Sequence, residues 1–225
     1  MYQFVTGPLL WLSFAIFIIG CIVRIIRYVK GLNWQADRVA YTAHFSYGMK
    51  GAVRSVVFWL LPFGTRSWRK NPFFTALFLV FHTGLLITPI FLTAHNIILK
   101  ERWGFSFWTI PESAADLLTI ALIVASIFII LRRIALPEVR ILTTVYDFAV
   151  IIIAVAPFVT GFIAHHMASD YKLWTILHII CGEIMLIAIP FTKLSHFVLF
   201  FMSRGQLGMD YGIKRGGMKG KGFAW

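Results

Sequence analysis

The chain is short of what a soluble protein needs most. Only 13% of its 225 residues are charged and nine are acidic, whereas a water-soluble domain of this length carries about a quarter of its residues as charges. Cysteine is nearly absent: Cys21 and Cys181 each sit inside an apolar stretch and read as small packing residues. There is no C-x-x-C-H for a covalently attached haem and no cysteine cluster for an iron–sulfur centre. Any redox group must therefore be held by something other than sulfur. The first apolar block lacks a basic segment before it and a small-residue cleavage site after it, which reads as a retained span and not a removed signal peptide. No internal repeat is present.

What the chain has in excess is hydrocarbon. Hydrophobic residues make up 59% and mean hydropathy is +0.80. They fall in long blocks, and about 20 helical residues cross a bilayer. Five blocks qualify, at about 4–26, 73–99, 113–131, 145–166 and 173–202. The expected fold is an all-α membrane protein, a five-transmembrane-helix bundle in contact with lipid. The positive charges are unevenly placed. Nine Lys and Arg lie between Arg24 and Lys70, Arg132, Arg133 and Arg140 lie between the third and fourth spans, and Arg204, Lys214, Arg215, Lys219 and Lys221 follow the fifth. The other connections, 100–112 and 167–172, carry only Lys100, Arg102 and Lys172 against Glu101, Glu112 and Asp170. By the positive-inside rule the N-terminus lies outside and the C-terminus in the cytoplasm. The net charge of +12 is thus a topology signal, and nucleic acid is excluded as a partner.

Residues 1–203 read as one five-span domain with a cytoplasmic loop at about 28–72. That loop mixes bases with aromatics, as expected of an amphipathic helix on the membrane surface or of a docking face for a soluble partner. The tail, 204–225, is basic and glycine-rich and reads as a segment that cannot fold alone. The outward segment ERWGFSFWTIPES is rich in interfacial aromatics, which anchor spans; a substrate lid is the other reading.

Seven histidines are present: His44, His82, His95, His165, His166, His178 and His196. All but His44 fall in or at the ends of apolar blocks, where ionisable groups are costly and therefore suspected of function. In HIICGEIMLIAIPFTKLSH, His178 and His196 are eighteen residues apart, five turns of one helix, so they share a face about 27 Å apart along the axis. That suits two separate centres, not one. His82 and His95 on the second span are thirteen apart, about 20 Å. The second and fifth spans run in opposite directions, which puts His82 level with His196 on the cytoplasmic side and His95 level with His178 on the outer side. Imidazole suits zinc, copper and iron, and a structural zinc would want four ligands where each level offers two. Two imidazoles per level without sulfur suit two haem b groups.

These residues resemble the membrane cytochrome b family typified by the respiratory nitrate reductase gamma subunit, from Pro8 to about Met202. The eighteen-residue spacing in the last helix carries the resemblance, although Trp174 departs from the family's aromatic pattern. The length and basic tail are most similar to the cytochrome b subunit of the high-molecular-weight cytochrome c (Hmc) transmembrane complex of sulfate-reducing bacteria. The resemblance implies an electron-transfer subunit of an oxidoreductase complex in the bacterial inner membrane. It implies axial ligands His82 and His196 for one haem and His95 and His178 for the other, partners that include a multihaem cytochrome c, iron–sulfur subunits and other membrane subunits, and menaquinone as a further cofactor or substrate. Thirteen residues set His82 and His95 about 140° apart on an ideal helix, so either Pro89 unwinds the span or His165 or His166 substitutes as a ligand.

His165 and His166 with Asp170 form a second group, an outward titratable cluster suited to exchanging protons with a quinol or an interfacial pair with no chemistry. Glu183 reads as a proton carrier or a structurally paired carboxylate. Lys193, Arg66, Arg69 and Lys70 could hold haem propionates or serve as ordinary positive-inside anchors. The rival functional class is a histidine-lined ion or metal transporter, or a membrane anchor subunit without redox chemistry. A transporter would require more intramembrane carboxylates than Glu183, Asp116 and Asp147.

Overall fold

The structure, a computed structural model, describes residues 2–31, 45–166 and 169–214, with side chains described as far as Tyr211. Arg38, His44 and the tail from Arg215 onward lie outside the described residues. Every regular element among those described is helical. Five helices are long and apolar enough to cross a membrane: α1 (Tyr2–Gly31), α4 (Pro72–Phe91), α6 (Glu112–Ala135), α8 (Val145–His166) and α9 (Tyr171–Phe191). Between and after them lie α2 (Phe45–Leu60), α3 (Arg66–Lys70), α5 (Thr93–Trp103), α7 (Pro137–Arg140) and α10 (His196–Lys214). The chain is a multi-pass, all-α membrane protein.

Local chemistry sets these boundaries. Pro8, without an N–H, sits in a single π turn, Val5–Leu9, near the start of α1. The Thr65 side chain accepts from Trp68 N and caps α3. Pro72 takes the first position of α4, where a missing N–H costs nothing. Gly104, at φ 74°, closes α5 with its N–H on the Lys100 carbonyl. Asp147 accepts from both N and Oγ1 of Thr144, each at 2.9 Å, and so caps α8. That carboxylate is a helix cap at a span end.

Two expected spans end early. The second, expected to reach residue 99, stops at Phe91, because Leu92 is extended (ψ 134°) and α5 starts afresh at Thr93. The fifth, expected to reach 202, stops at Phe191; Thr192 is extended and its hydroxyl accepts from Leu194 N, a short turn covers Lys193–Ser195, and α10 begins at His196. The tail also differs from expectation, since 204–214 continue α10 as helix.

The side chains that spans expose are apolar, for example Ile18, Ile19 and Ile22 on α1 and Leu117, Ile120, Val124 and Ile127 on α6. Hydrocarbon accommodates such a surface, and within it helices associate through packing and small residues.

Two compact units are distinguished. One comprises Met1–Ser13 with Ala76–Met185. Its core is Leu122, Val155 and Phe158, flanked by Phe81, Leu85, Ile123, Ile151 and Val159, so α4, α6 and α8 converge there. Gly84 makes this possible: a Cβ on it would lie 2.9 Å from the Leu118 carbonyl oxygen. At one end of the unit a run of aromatic contacts links Trp11, Trp103, Phe105, Phe107, Phe91 and Trp108, in keeping with an interfacial belt.

The other unit comprises Phe14–Thr75 with Leu186–Trp225. Here α10 lies along α2, whose buried face is Gly48, Gly51 and Ser55. Arg204 sits over the Trp59 ring at 3.9 Å, a cation–π contact. Arg24 Nε donates to the Pro190 carbonyl at 2.6 Å. That carbonyl belongs to the last turn of α9, where no intrahelical donor remains.

Candidate cofactor site

The break at Leu92 creates the first half of the site. The last carbonyls of a helix have no partners within it, and here each finds a specific donor. Thr88 O accepts from Leu92 N (3.0 Å), Pro89 O from His95 Nδ1 (2.9 Å), Ile90 O from Asn96 Nδ2 (2.8 Å) and Phe91 O from Ile110 N (3.0 Å). Buried Asn96 also donates to Leu92 O at 3.1 Å and accepts from Phe107 N at 2.7 Å. His95 is thereby fixed in direction by the terminus it follows. The ideal-helix objection to pairing His82 and His95 on one span does not apply, since the two lie on separate helices, α4 and α5. Pro89 itself stays inside α4, and the unwinding falls three residues later.

The second half comes from α9 and α8. His178 Nδ1 donates to the Pro157 carbonyl at 2.8 Å. Gly161, one turn further along α8, leaves the room: a Cβ there would stand 2.8 Å from Nδ1 and 2.9 Å from Cε1 of His178.

These constraints bring His95 and His178 together. Their rings are 9° from parallel with centroids 5.9 Å apart. Two imidazoles on one metal ion with bonds of about 2.0 Å have centroids about 6 Å apart, so the observed separation is compatible with that arrangement as well as with an offset stack. A carbonyl can only accept, so Nδ1 carries the proton in both rings and Nε2 keeps the lone pair. Metal-bound histidines are held in this way, the second nitrogen anchored on a carbonyl. The residues present therefore fit a bis-imidazole centre.

The same tautomer recurs at the other two expected ligands. His82 Nδ1 donates to Phe78 O and His196 Nδ1 to Lys193 O, each at 2.9 Å. His82 packs against Phe78 and Phe81 at centroid distances of 4.0 and 5.3 Å. His82 and His196 belong to different compact units. His196 does not continue the helix of His178, as the eighteen-residue argument supposed; it opens α10 after the turn at 193–195. Lys193, Arg66, Arg69 and Lys70 share the unit of His196 and are exposed. Arg69 Nη1 donates to the carbonyls of Phe63 and Gly64, both at 2.9 Å, and so secures the turn before α3.

The expected cluster of His165, His166 and Asp170 forms around a different carboxylate. His166 Nε2 lies 3.2 Å from Asp116 Oδ2, because the start of α6 lies beside the end of α8. Asp170 stands at positive φ in the turn before α9, where its carbonyl accepts from Leu173 N and Trp174 N. Glu183, expected to be paired or proton-carrying, is 3% exposed, and neither carboxyl oxygen has a hydrogen-bond partner. The structural-pairing reading of Glu183 therefore fails among the described residues.

Three residues of the site escaped the sequence reading: Asn96, Pro157 and Gly161. Asn96 was legible in principle, as a polar residue beside His95 within an apolar block. The two others gained a role only through the approach of α9, which no local pattern signals.

No protein-family model matches the chain, and no solved structure matches it. A protein of Nitratidesulfovibrio vulgaris (strain Hildenborough) is 56% identical over 226 residues, which cover 100% of both chains. The chain belongs to one family with that N. vulgaris protein.

Proposed function

We propose that this protein is a dihaem b membrane subunit that carries electrons across the bacterial inner membrane. Its electron partners are a periplasmic multihaem cytochrome c or the menaquinone pool on one side and cytoplasmic iron–sulfur subunits on the other. The observation that supports this best is the near-parallel His95–His178 pair, with both Nδ1 atoms committed to carbonyls and each Nε2 left with its lone pair. Haem b held there supplies a one-electron carrier whose potential the protein tunes. The chain's own residues do the tuning. The Pro89 and Pro157 carbonyls make each imidazole more electron-rich, Gly161 sets the depth of His178, and the apolar spans exclude water.

His82 and His196 are the proposed ligands of a second, cytoplasmic-side centre, and their matching tautomers support that role. Lys193, Arg66 and Lys70 are proposed partners for its propionates, with the N-terminus outside. The family resemblance points to an Hmc-like assembly, and the N. vulgaris relative comes from a sulfate reducer.

The test is the absorbance spectrum of purified protein, oxidised and dithionite-reduced, with a pyridine assay to count haems. Sharp α and Soret bands and two haems per chain are expected. His95→Ala and His178→Ala should each remove the same centre and leave the other. A colourless preparation ends the proposal.

A further inference from the structure

We infer that Asp116, His165 and His166 form a binding site for a divalent transition-metal ion of the zinc class, separate from the His95–His178 pair. Each offers one ligand atom, and the three atoms lie within 4.8 Å of one another. The closest two, His166 Nε2 and Asp116 Oδ2, are 3.2 Å apart. Two ligands of a tetrahedral zinc ion, bound at about 2.0 Å, are separated by about 3.3 Å.

An ordinary ion pair needs one histidine, and here there are two. Adjacent residues on a helix point about 100° apart, yet the rings of His165 and His166 approach to 4.8 Å at 78°. This is possible because α8 ends at His166. Phe162, one turn earlier, lies against the His166 ring at 4.4 Å and holds it toward Asp116. Two imidazoles and a carboxylate are a donor set for zinc and its neighbours in the first transition row. Three protein ligands leave a position for water or an exogenous ligand, and the partly exposed side chains, 44% for His166 and 31% for Asp116, give an entry path from solvent. The site sits at a helix end that the topology reading places outward, where it would meet metal ions outside the cytoplasm. The inference rests on these three residues and not on the haem reading.

The test uses tag-free, full-length protein as isolated with its cofactors, stripped of loose metal with a chelator and titrated with zinc in a calorimeter. We expect a site that Asp116→Asn and the double change His165→Ala/His166→Ala each weaken at least tenfold, while Asp170→Asn leaves it unchanged. Zinc K-edge absorption of the wild-type protein supplies a check that needs no variant: imidazole and oxygen scattering without sulfur is expected. Absence of zinc binding, equal binding by all variants, or a zinc shell without imidazole would each overturn the inference.

Discussion

Gly161 and His178 meet so closely that one methyl group on the glycine would stand 2.8 Å from the imidazole Nδ1. Contacts that short force a side chain to move, and the ring would have to abandon its hydrogen bond to the Pro157 carbonyl. On the proposed dihaem reading, Gly161→Ala should therefore empty or strongly perturb the His95–His178 centre while the other keeps its spectrum. Alanine also favours helix over glycine by up to about 1 kcal/mol, so the fold should not weaken much. A redox titration followed optically reads the effect: loss of one component with the other unchanged is the expected pattern.

Asn96 secures the break that aims His95. Its side chain makes three hydrogen bonds, to Ile90 O, Leu92 O and Phe107 N, each contributing about 1 kcal/mol and more where removal strands a buried group. Asn96→Ala should cost about 2–4 kcal/mol and loosen His95. Denaturation in detergent measures the first effect. The second appears as a broadened or shifted band of the same centre that His95→Ala removes.

The spans were legible because bilayer crossing demands composition, and composition is local. Hydropathy alone set all five within a few residues at most ends. The helix breaks were not legible, because apolar runs resume within a few residues of Leu92 and Thr192, at 97–99 and 197–201. Hydropathy does not register whether a backbone carbonyl has a donor. Here the donors are side chains or distant backbone groups: His95, Asn96, Ile110 and Arg24. The histidines were found because an imidazole in hydrocarbon is conspicuous. Their direction was not, since it depends on two proline carbonyls and one glycine on other turns.

The glycine-rich tail shows the same limit from the opposite side. Gly208 falls in the tail that reads as unable to fold alone, yet a Cβ there would lie 2.3 Å from Gly51 O and 2.8 Å from Ala52 Cα. Both are backbone atoms, which cannot rotate away, so α2 and α10 would have to separate. Gly208→Ala should destabilise this helix pair by about 1–3 kcal/mol and make α10 the first site of limited proteolysis. Gly205 has nothing within 4 Å of a Cβ, so Gly205→Ala is the matched control and should be neutral or mildly stabilising.

Glu183 gives the last prediction, in which stability and function part company. Its carboxyl group is buried in α9 with neither oxygen hydrogen-bonded, an arrangement that costs about 1–3 kcal/mol by mutational precedent. Methionine has similar length and no such cost. Glu183→Met should therefore raise resistance to denaturation by about that amount, whereas Glu183→Gln, which buries an amide in the same place, should change it little. Residues retained against stability are commonly retained for activity. If, on the proposed function, the protein oxidises menaquinol and Glu183 carries its protons, the more stable methionine variant should transfer electrons from menaquinol more slowly, with haem content unchanged. A methionine variant that is less stable than wild type would instead mean that the carboxylate meets a polar partner in the assembled complex, and menaquinol turnover would then fall together with subunit retention.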